Sequence, residues 1–186
     1  MVGLGNPGTE YERTRHNVGA DAVSLVAARY GLRLKSEKGT KALVCTTVIN
    51  GLLLALAIPS TYMNDSGLSV VALARRYNVD DSTRIVVLHD EMDLPTGRVK
   101  VKVGGGTAGH NGLKSVHAHL HTPDYVRVRI GVGKPPGSQS GADYVLRRPG
   151  AADRELLDVA IVVAADAVES LAENGIEVTM NRVNSQ

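Results

Sequence analysis

Apolar residues recur at positions 22, 23, 26, 27 and 30, a helical stripe across residues 19–30, and Gly31 stands where such a helix would end. Ahead of it, residues 2–4 form the stub of a buried strand. Two apolar runs, 42–49 and 52–58, meet at Asn50-Gly51, the dipeptide that suits a two-residue turn, and so predict a hairpin. The spacing then predicts a helix over 66–77 with Asn64 or Asp65 near its cap. A buried strand follows at 84–89, RIVVLH, and residues 98–103 alternate charged and apolar as a half-exposed strand does. A helix over 111–120 and a strand over 126–132 complete the middle of the chain. The clearest helix covers 155–172, with Leu156, Val159, Ala160, Val163 and Ala167 on one side and Glu155, Asp158, Asp166, Glu169 and Glu173 opposite. Helices alternating with strands, plus one hairpin, predict an α/β fold: a single domain, residues 1–186, with a twisted mixed sheet flanked by helices. The glycine- and proline-rich stretch 133–141 reads as an exposed loop within it.

Composition narrows this picture. A chain of 186 residues buries one good core and is short for two ordinary domains. There is no Phe and no Trp, so the core is built from Val, Leu, Ile and Ala. No apolar run approaches the ~20 residues of a membrane span, and no signal-peptide pattern is present. The single cysteine, Cys45, sits in an apolar run that suits a buried bystander. The expected location is the cytoplasm. Net charge is only +2, but it is unevenly spread. Residues 94–148 hold nine basic groups against two acids, a net of +7, whereas residues 151–186 hold two against seven, a net of −5. That asymmetry suits a polyanion-binding face.

Three chemical fingerprints are imitated and fail on context. Gly3-Leu4-Gly5-Asn6-Pro7-Gly8 matches the dinucleotide pattern G-x-G-x-x-G letter for letter. Pro7 pushes Asn6 out of helical geometry, no apolar stripe begins before position 18, and the acid some twenty positions on, Asp21, falls inside a helix. The strand RIVVLH ends in Asp90-Glu91 as a metal-holding strand of a nucleotide triphosphatase would, yet GGGTAGHNGLKS has His110 where the phosphate-gripping lysine belongs. His117 and His121 stand at zinc spacing without an intervening carboxylate, so they read as surface histidines.

What remains is a constellation. Asn6, His16, Asn64, Asp90 and Asn111 are all expected in loops just after strands or just before helices, where side chains of an α/β sheet converge on one crevice. Together they offer one base, one carboxylate to orient it and three neutral amides, without a nucleophilic Ser or Cys in an elbow motif. Such a set can activate water against a carbonyl while amides polarise the developing oxyanion.

These residues sit in GLGNPGTEYERTRHNVG, PSTYMNDSG, HDEMDLPTGRVKVKVGGGTAGHNGLKS and YVRVRIGVGKP, which in that order resemble the motifs of bacterial-type peptidyl-tRNA hydrolases. The resemblance is collinear from Val2 to about Leu146. It implies hydrolysis of the ester that joins a peptide to the terminal ribose of tRNA, on a monomeric α/β fold that needs no cofactor and no metal. It makes His16 the general base and Asp90 its orienting partner, with Asn6 holding the water or the carbonyl. Asn64 and Asn111 would grip the peptide main chain, with Tyr62 and Tyr11 in the same region. Lys100, Lys102 and Arg129 match the basic positions associated with acceptor-stem phosphates. Alternation along Arg98, Lys100 and Lys102 would put three cations on one strand face. The family usually has a few more residues ahead of VGLGNPG, so a shortened first strand is expected, and the chain ends in NRVNSQ without the basic tail of some relatives. The alternative is a non-catalytic RNA-binding homologue, which the intact His16 and Asp90 disfavour. If Lys100 and Lys102 meet phosphates, Lys100→Ala and Lys102→Ala each raise KM and flatten its salt dependence by about one counter-ion per contact. Steady-state hydrolysis across a salt series reads this out, and unchanged salt dependence in both variants would move the tRNA face elsewhere.

Overall fold

The structure is a computed structural model that describes residues 1–185. The chain runs through β1 (Val2–Gly3), α1 (Val18–Arg29), β2 (Lys35–Glu37), β3 (Ala42–Ile49), β4 (Leu52–Pro59) and α2 (Ser66–Arg76). It continues through β5 (Val86–Glu91), β6 (Val99–Val103), α3 (Asn111–Leu120), β7 (Val126–Gly131), α4 (Gly141–Val145) and α5 (Ala151–Asn184). All seven strands join one mixed sheet in the order β2-β3-β4-β1-β5-β7-β6. The central pairs β4–β1, β1–β5 and β5–β7 are parallel, and the outer pairs are antiparallel. The hairpin forms at Asn50-Gly51 as expected, with Ile49 opposite Leu52 and Val48 opposite Leu53.

Each face of the sheet carries its own core. One side packs α1 and α5 on Leu56, Leu88, Val101, Val128 and Ile130, and the other packs α2 and α3 on Ala57, Val87 and Tyr125. With only two residues, β1 depends on β4 and β5 beside it and on α1 above it. That helix lies unusually close. A Cβ on Gly19 would overlap the Leu88 carbonyl, and one on Gly3 would overlap the Gly19 carbonyl. Bare glycines on both sides let α1 rest on the β1 and β5 backbones, where Ala20 N–H donates to Leu4 O at 3.0 Å. The close approach brings the residues just ahead of α1 to the carboxyl ends of β1 and β5.

Several expectations shift. The buried strand is Val86–Glu91, two residues later than the apolar run, because residues 82–84 form a 3-10 turn and the acids Asp90 and Glu91 stay in the strand. Both acids are buried and both are compensated, by histidines and by Arg129 respectively. Asp65 occupies the cap position of α2, and Asn64 lies in the 3-10 turn before it. The long helix starts earlier and is rotated: Leu156 and Val159 are 50% and 63% exposed, while Leu157, Ala160, Ile161, Ala164 and Val168 face the core. The acids Glu155, Asp158, Asp166 and Glu173 do face outward and Ala160 and Ala167 inward, but Leu156 and Val159 lie on the outer side, and small alanines take the inner face because α1 lies against it. Gly175, at φ 78°, breaks the helix, and the last part runs back along the sheet edge. There the Asn184 amide bonds both the N–H and the C=O of Val101 at 2.9 Å, closing the free edge of β6. β2 and α4 carry no periodic apolar signal and are legible only in the fold.

Among the described residues no helix is long and apolar enough to cross a membrane. The tightness of the α1 seat gives a direct test. Gly19→Ala is expected to destabilise the protein by about 1–3 kcal/mol, the usual cost of overpacking. Urea unfolding checks it, and an unchanged midpoint would show that α1 has room to move.

Candidate active site

The loop that leaves β1 carries Asn6, and a reciprocal pair of bonds fastens it. Asn6 N–H donates to Asn17 Oδ1 and Asn17 Nδ2 donates to Asn6 O, both at 2.9 Å. Asn17 is the last residue of the 3-10 turn Arg15–Asn17 that leads into α1. The same turn therefore presents His16 and clips the Asn6 backbone. The Asn6 side chain is fixed as well: its Oδ1 accepts the Met63 N–H at 2.8 Å. A backbone N–H can only donate, so the amide cannot be flipped, and Asn6 offers its Nδ2 donor to the site.

His16 meets Asp90 across this crevice, Nδ1 to Oδ1 at 2.8 Å. Asp90 is 3% exposed near the end of β5. Burial alone would raise its pKa, but the charges and hydrogen bonds of His16 and His110 outweigh that and hold it well below the ordinary carboxylate range. As a carboxylate it only accepts, so Nδ1 of His16 carries the proton and Nε2 is left bare, on a residue that lines the cavity. Burial works against an imidazolium at His16, yet the charge and hydrogen bond of Asp90 prevail and raise its pKa above 6.5.

A second imidazole shares the same oxygen. His110 Nε2 lies 2.9 Å from Asp90 Oδ1, its Nδ1 accepts the Leu113 N–H at 3.3 Å, and its ring lies 4.9 Å from that of His16. His110 is the site residue that the sequence analysis missed. It stands inside the GHNG run and drew notice only as a missing lysine; its link to Asp90, twenty positions away, exists only in three dimensions. His89, next in the strand, donates from Nδ1 to the Asp90 carbonyl at 2.8 Å and is pushed down by burial to about 3, which keeps it neutral. His16, Asp90 and His110 bring three metal-capable atoms within 4.8 Å. With Asp90 as the acceptor, the nitrogens that face it carry the protons.

Around the pair lies a cavity of about 370 Å³. Asn6, Tyr11, His16, Tyr62, Asn64, Asp90 and Asn111 all line it, so the structure brings together every residue assigned to catalysis or peptide binding. Correcting the loop expectation, Asp90 reaches it from within a strand and Asn111 from the first residue of α3. Tyr11 and Tyr62 meet edge to face with centroids 6.4 Å apart, and Tyr62 is 59% exposed. Met63, Met92, Val145 and Leu146 supply apolar wall.

The basic residues lie outside the cavity, on the outer face of β6 and β7. Register sets Lys100 opposite Arg129 and Lys102 opposite Arg127. Like charges directly opposed disfavour a sheet, unless an anion or a local partner offsets them. Arg129 has such a partner in Glu91 at 3.1 Å, and Glu91 lines the cavity, so the face and the cavity adjoin. Among the described residues no ion pair engages Lys100 or Lys102. Arg98 does not extend the ladder: it precedes β6, and its guanidinium donates to Asn184 O at 2.9 Å, drawn there by the helix end that covers the edge. His117 and His121 form no metal site, since His117 Nε2 bonds Arg127 and His121 ends α3 in a left-handed turn. Cys45 is half-buried, not fully buried, and its burial raises the thiol pKa, so it stays an inert thiol.

A parallel-centred α/β sheet with an imidazole–carboxylate pair at the carboxyl ends of its central strands, in a cavity rich in neutral amides, has the groups of a hydrolase site. The family model for peptidyl-tRNA hydrolase matches residues 1–186. A Nocardia farcinica peptidyl-tRNA hydrolase is 48% identical over 99% of this chain and 95% of its own length, and one from Mycobacterium tuberculosis is 47% identical over 100% and 96%. The crystal structure of peptidyl-tRNA hydrolase from Acinetobacter baumannii superposes with a TM-score of 0.92 at 38% identity, covering 99% of this chain and 93% of that one. The chain belongs to the peptidyl-tRNA hydrolase family.

The electrostatics of the pair give a pH test. If His16 is the general base, then because Asp90 raises its pKa and the basic form is the neutral one, kcat/KM rises with pH through a midpoint above 6.5. In Asp90→Asn the charge is gone and burial dominates, so the midpoint moves below that of wild type while the plateau falls by about 10²–10⁴. A pH–rate profile of both proteins checks it, and coincident midpoints would separate Asp90 from the titration of His16.

Proposed function

We propose that this cavity hydrolyses the ester between a peptide and the 3′-terminal ribose of tRNA, with His16 as general base. Water attacks the ester carbonyl as its proton passes to His16 Nε2. Asp90 holds the ring in the required tautomer and stabilises the imidazolium that forms. The carbonyl oxygen becomes an oxyanion, and the Nδ2 donor of Asn6 faces it, with Asn111 at the start of α3 as a second amide. Collapse breaks the bond to the ribose oxygen, and the imidazolium returns its proton to that oxygen. The products are a free peptide carboxylate and tRNA with its terminal hydroxyl restored.

The observation that carries this reading is the bond of His16 Nδ1 to a buried, ionised Asp90 beside an amide whose donor end is fixed. The remaining groups fit the same substrate. Asn64 and Asn111 offer donor and acceptor together, which suits a peptide main chain and leaves side chains unread. Tyr62 and Tyr11 present aromatic surface at the rim. Lys100, Lys102 and Arg129 take the acceptor-stem phosphates, which leaves the tRNA body outside and its 3′ end within reach of the cavity. The protein works as a monomer, since one chain supplies the whole site, and without a metal or cofactor, since an ester beside a vicinal hydroxyl is already activated. The reaction belongs to the cytoplasm, where its substrate arises, and returns tRNA from peptidyl-tRNA lost by stalled ribosomes.

The test is release of free tRNA from an N-blocked aminoacyl-tRNA. Folded His16→Ala is expected to lose about 10²–10⁴ in kcat, the usual worth of a general base. Full activity in His16→Ala would remove the base from the mechanism. Tight tRNA binding by wild type without release would favour the non-catalytic homologue.

A further inference from the structure

Arg127 counts in the sequence among the nine basic residues of the cationic segment, yet its side chain is buried, with 2% of the residue exposed. It points from β7 to the loop of residues 104–109, GGGTAG. Its guanidinium donates to the carbonyls of Gly105 and Gly106, to His117 Nε2 at 2.8 Å and, at 3.4 Å, to Pro123 O. The Tyr125 ring covers it with 4.8 Å between Cζ and centroid. A guanidinium carries only donors, so His117 accepts here and is neutral.

The loop has little of its own to hold it. Gly104, Gly105, Ala108 and Gly109 all have positive φ, and glycine backbone loses the most freedom on ordering. Its backbone bonds sit at its ends, Gly104 N–H to Tyr125 O at 3.0 Å and His110 N–H to Thr107 O at 2.8 Å. Arg127 grips the middle. Directly after that grip come Ala108, Gly109, His110 and Asn111, which together form one wall of the cavity.

We infer that Arg127 is a positioning residue: by binding the Gly105 and Gly106 carbonyls it fixes the loop that carries the Ala108–Asn111 wall, and so sets substrate affinity without touching substrate. The inference rests on the cavity being the site of the peptide ester. His16 and Asp90 are held from the turn before α1 and from β5, so the loop reaches them only through His110, which shares Asp90 Oδ1. A phosphate-binding role, which the charge pattern alone would suggest, makes different demands.

Arg127→Lys separates the two. Lysine keeps the charge but is a compact point donor that cannot span two carbonyls as the planar fork does. On N-blocked aminoacyl-tRNA, KM is expected to rise about tenfold, less than the ~10²-fold that a 1 Å misplacement can cost. The same rise is expected on an N-acetylaminoacyl ester of adenosine, which has no acceptor stem. The salt dependence of KM stays at its wild-type value, and amide hydrogen exchange accelerates over residues 104–111 while β6 and β7 stay protected. A salt slope reduced by about one, with the small ester unaffected, would make Arg127 a phosphate ligand and overturn the inference. Unchanged KM on both substrates with only a lower Tm would reduce it to a structural residue and overturn it equally. Arg127→Gln, which keeps one donor without a buried charge, carries the same expectations if the lysine variant does not fold. Absence of hydrolysis by wild type would sink the ester reading alone, and the exchange measurement would still decide the role of Arg127.

Discussion

A carboxylate buried at the end of a parallel strand is expensive unless its charge is met, and Asp90 is met twice through one oxygen. Each partner comes from a different part of the chain: His16 from the turn before α1, His110 from the start of α3. To satisfy Asp90 the protein must therefore seat α1 on β1 and β5 and bring α3 across the other side of the sheet. The glycine contact under α1 serves the first requirement, and the bond from Leu113 N–H to His110 serves the second. The active-site geometry and the layer packing are one problem with one solution.

The same economy extends to the amides. Asn6 is clipped at its backbone by Asn17 and at its side-chain oxygen by Met63, so a neutral, easily rotated group is held donor-first. An oxyanion site needs this kind of preorganisation, because a donor that must reorient during the reaction gives back much of its electrostatic benefit.

The cationic face is smaller than its charge count suggests. Arg98 ties down a helix end, Arg127 a loop, Arg148 the carbonyls of Thr9 and Glu12, and Lys134 pairs with Asp93. Guanidinium groups that satisfy backbone carbonyls are structural, however basic they look in sequence. Lys100, Lys102, Lys114 and Arg147 remain without an ion pair among the described residues, the first two beside Arg129 and its bond to the cavity residue Glu91.

The sequence by itself determined the hairpin at Asn50-Gly51, the mixed α/β class and most of the element order, because periodicity and turn chemistry are local properties, and its motifs singled out seven residues that line the cavity. It also excluded a dinucleotide loop, from Pro7, the late start of the apolar stripe and the place of Asp21. Tertiary structure decided what depends on which atoms meet. It turned Leu156 and Val159 of the long helix outward and gave the face against α1 to small alanines. It kept Asp90 in a strand, where an acid is tolerable only beside its histidines. It added His110 and Asn17 to the site and turned Arg98 and Arg127 onto backbone carbonyls. Charge and hydrogen-bonding capacity are written in the residue, but the partner that uses them is chosen by packing between segments distant in the chain.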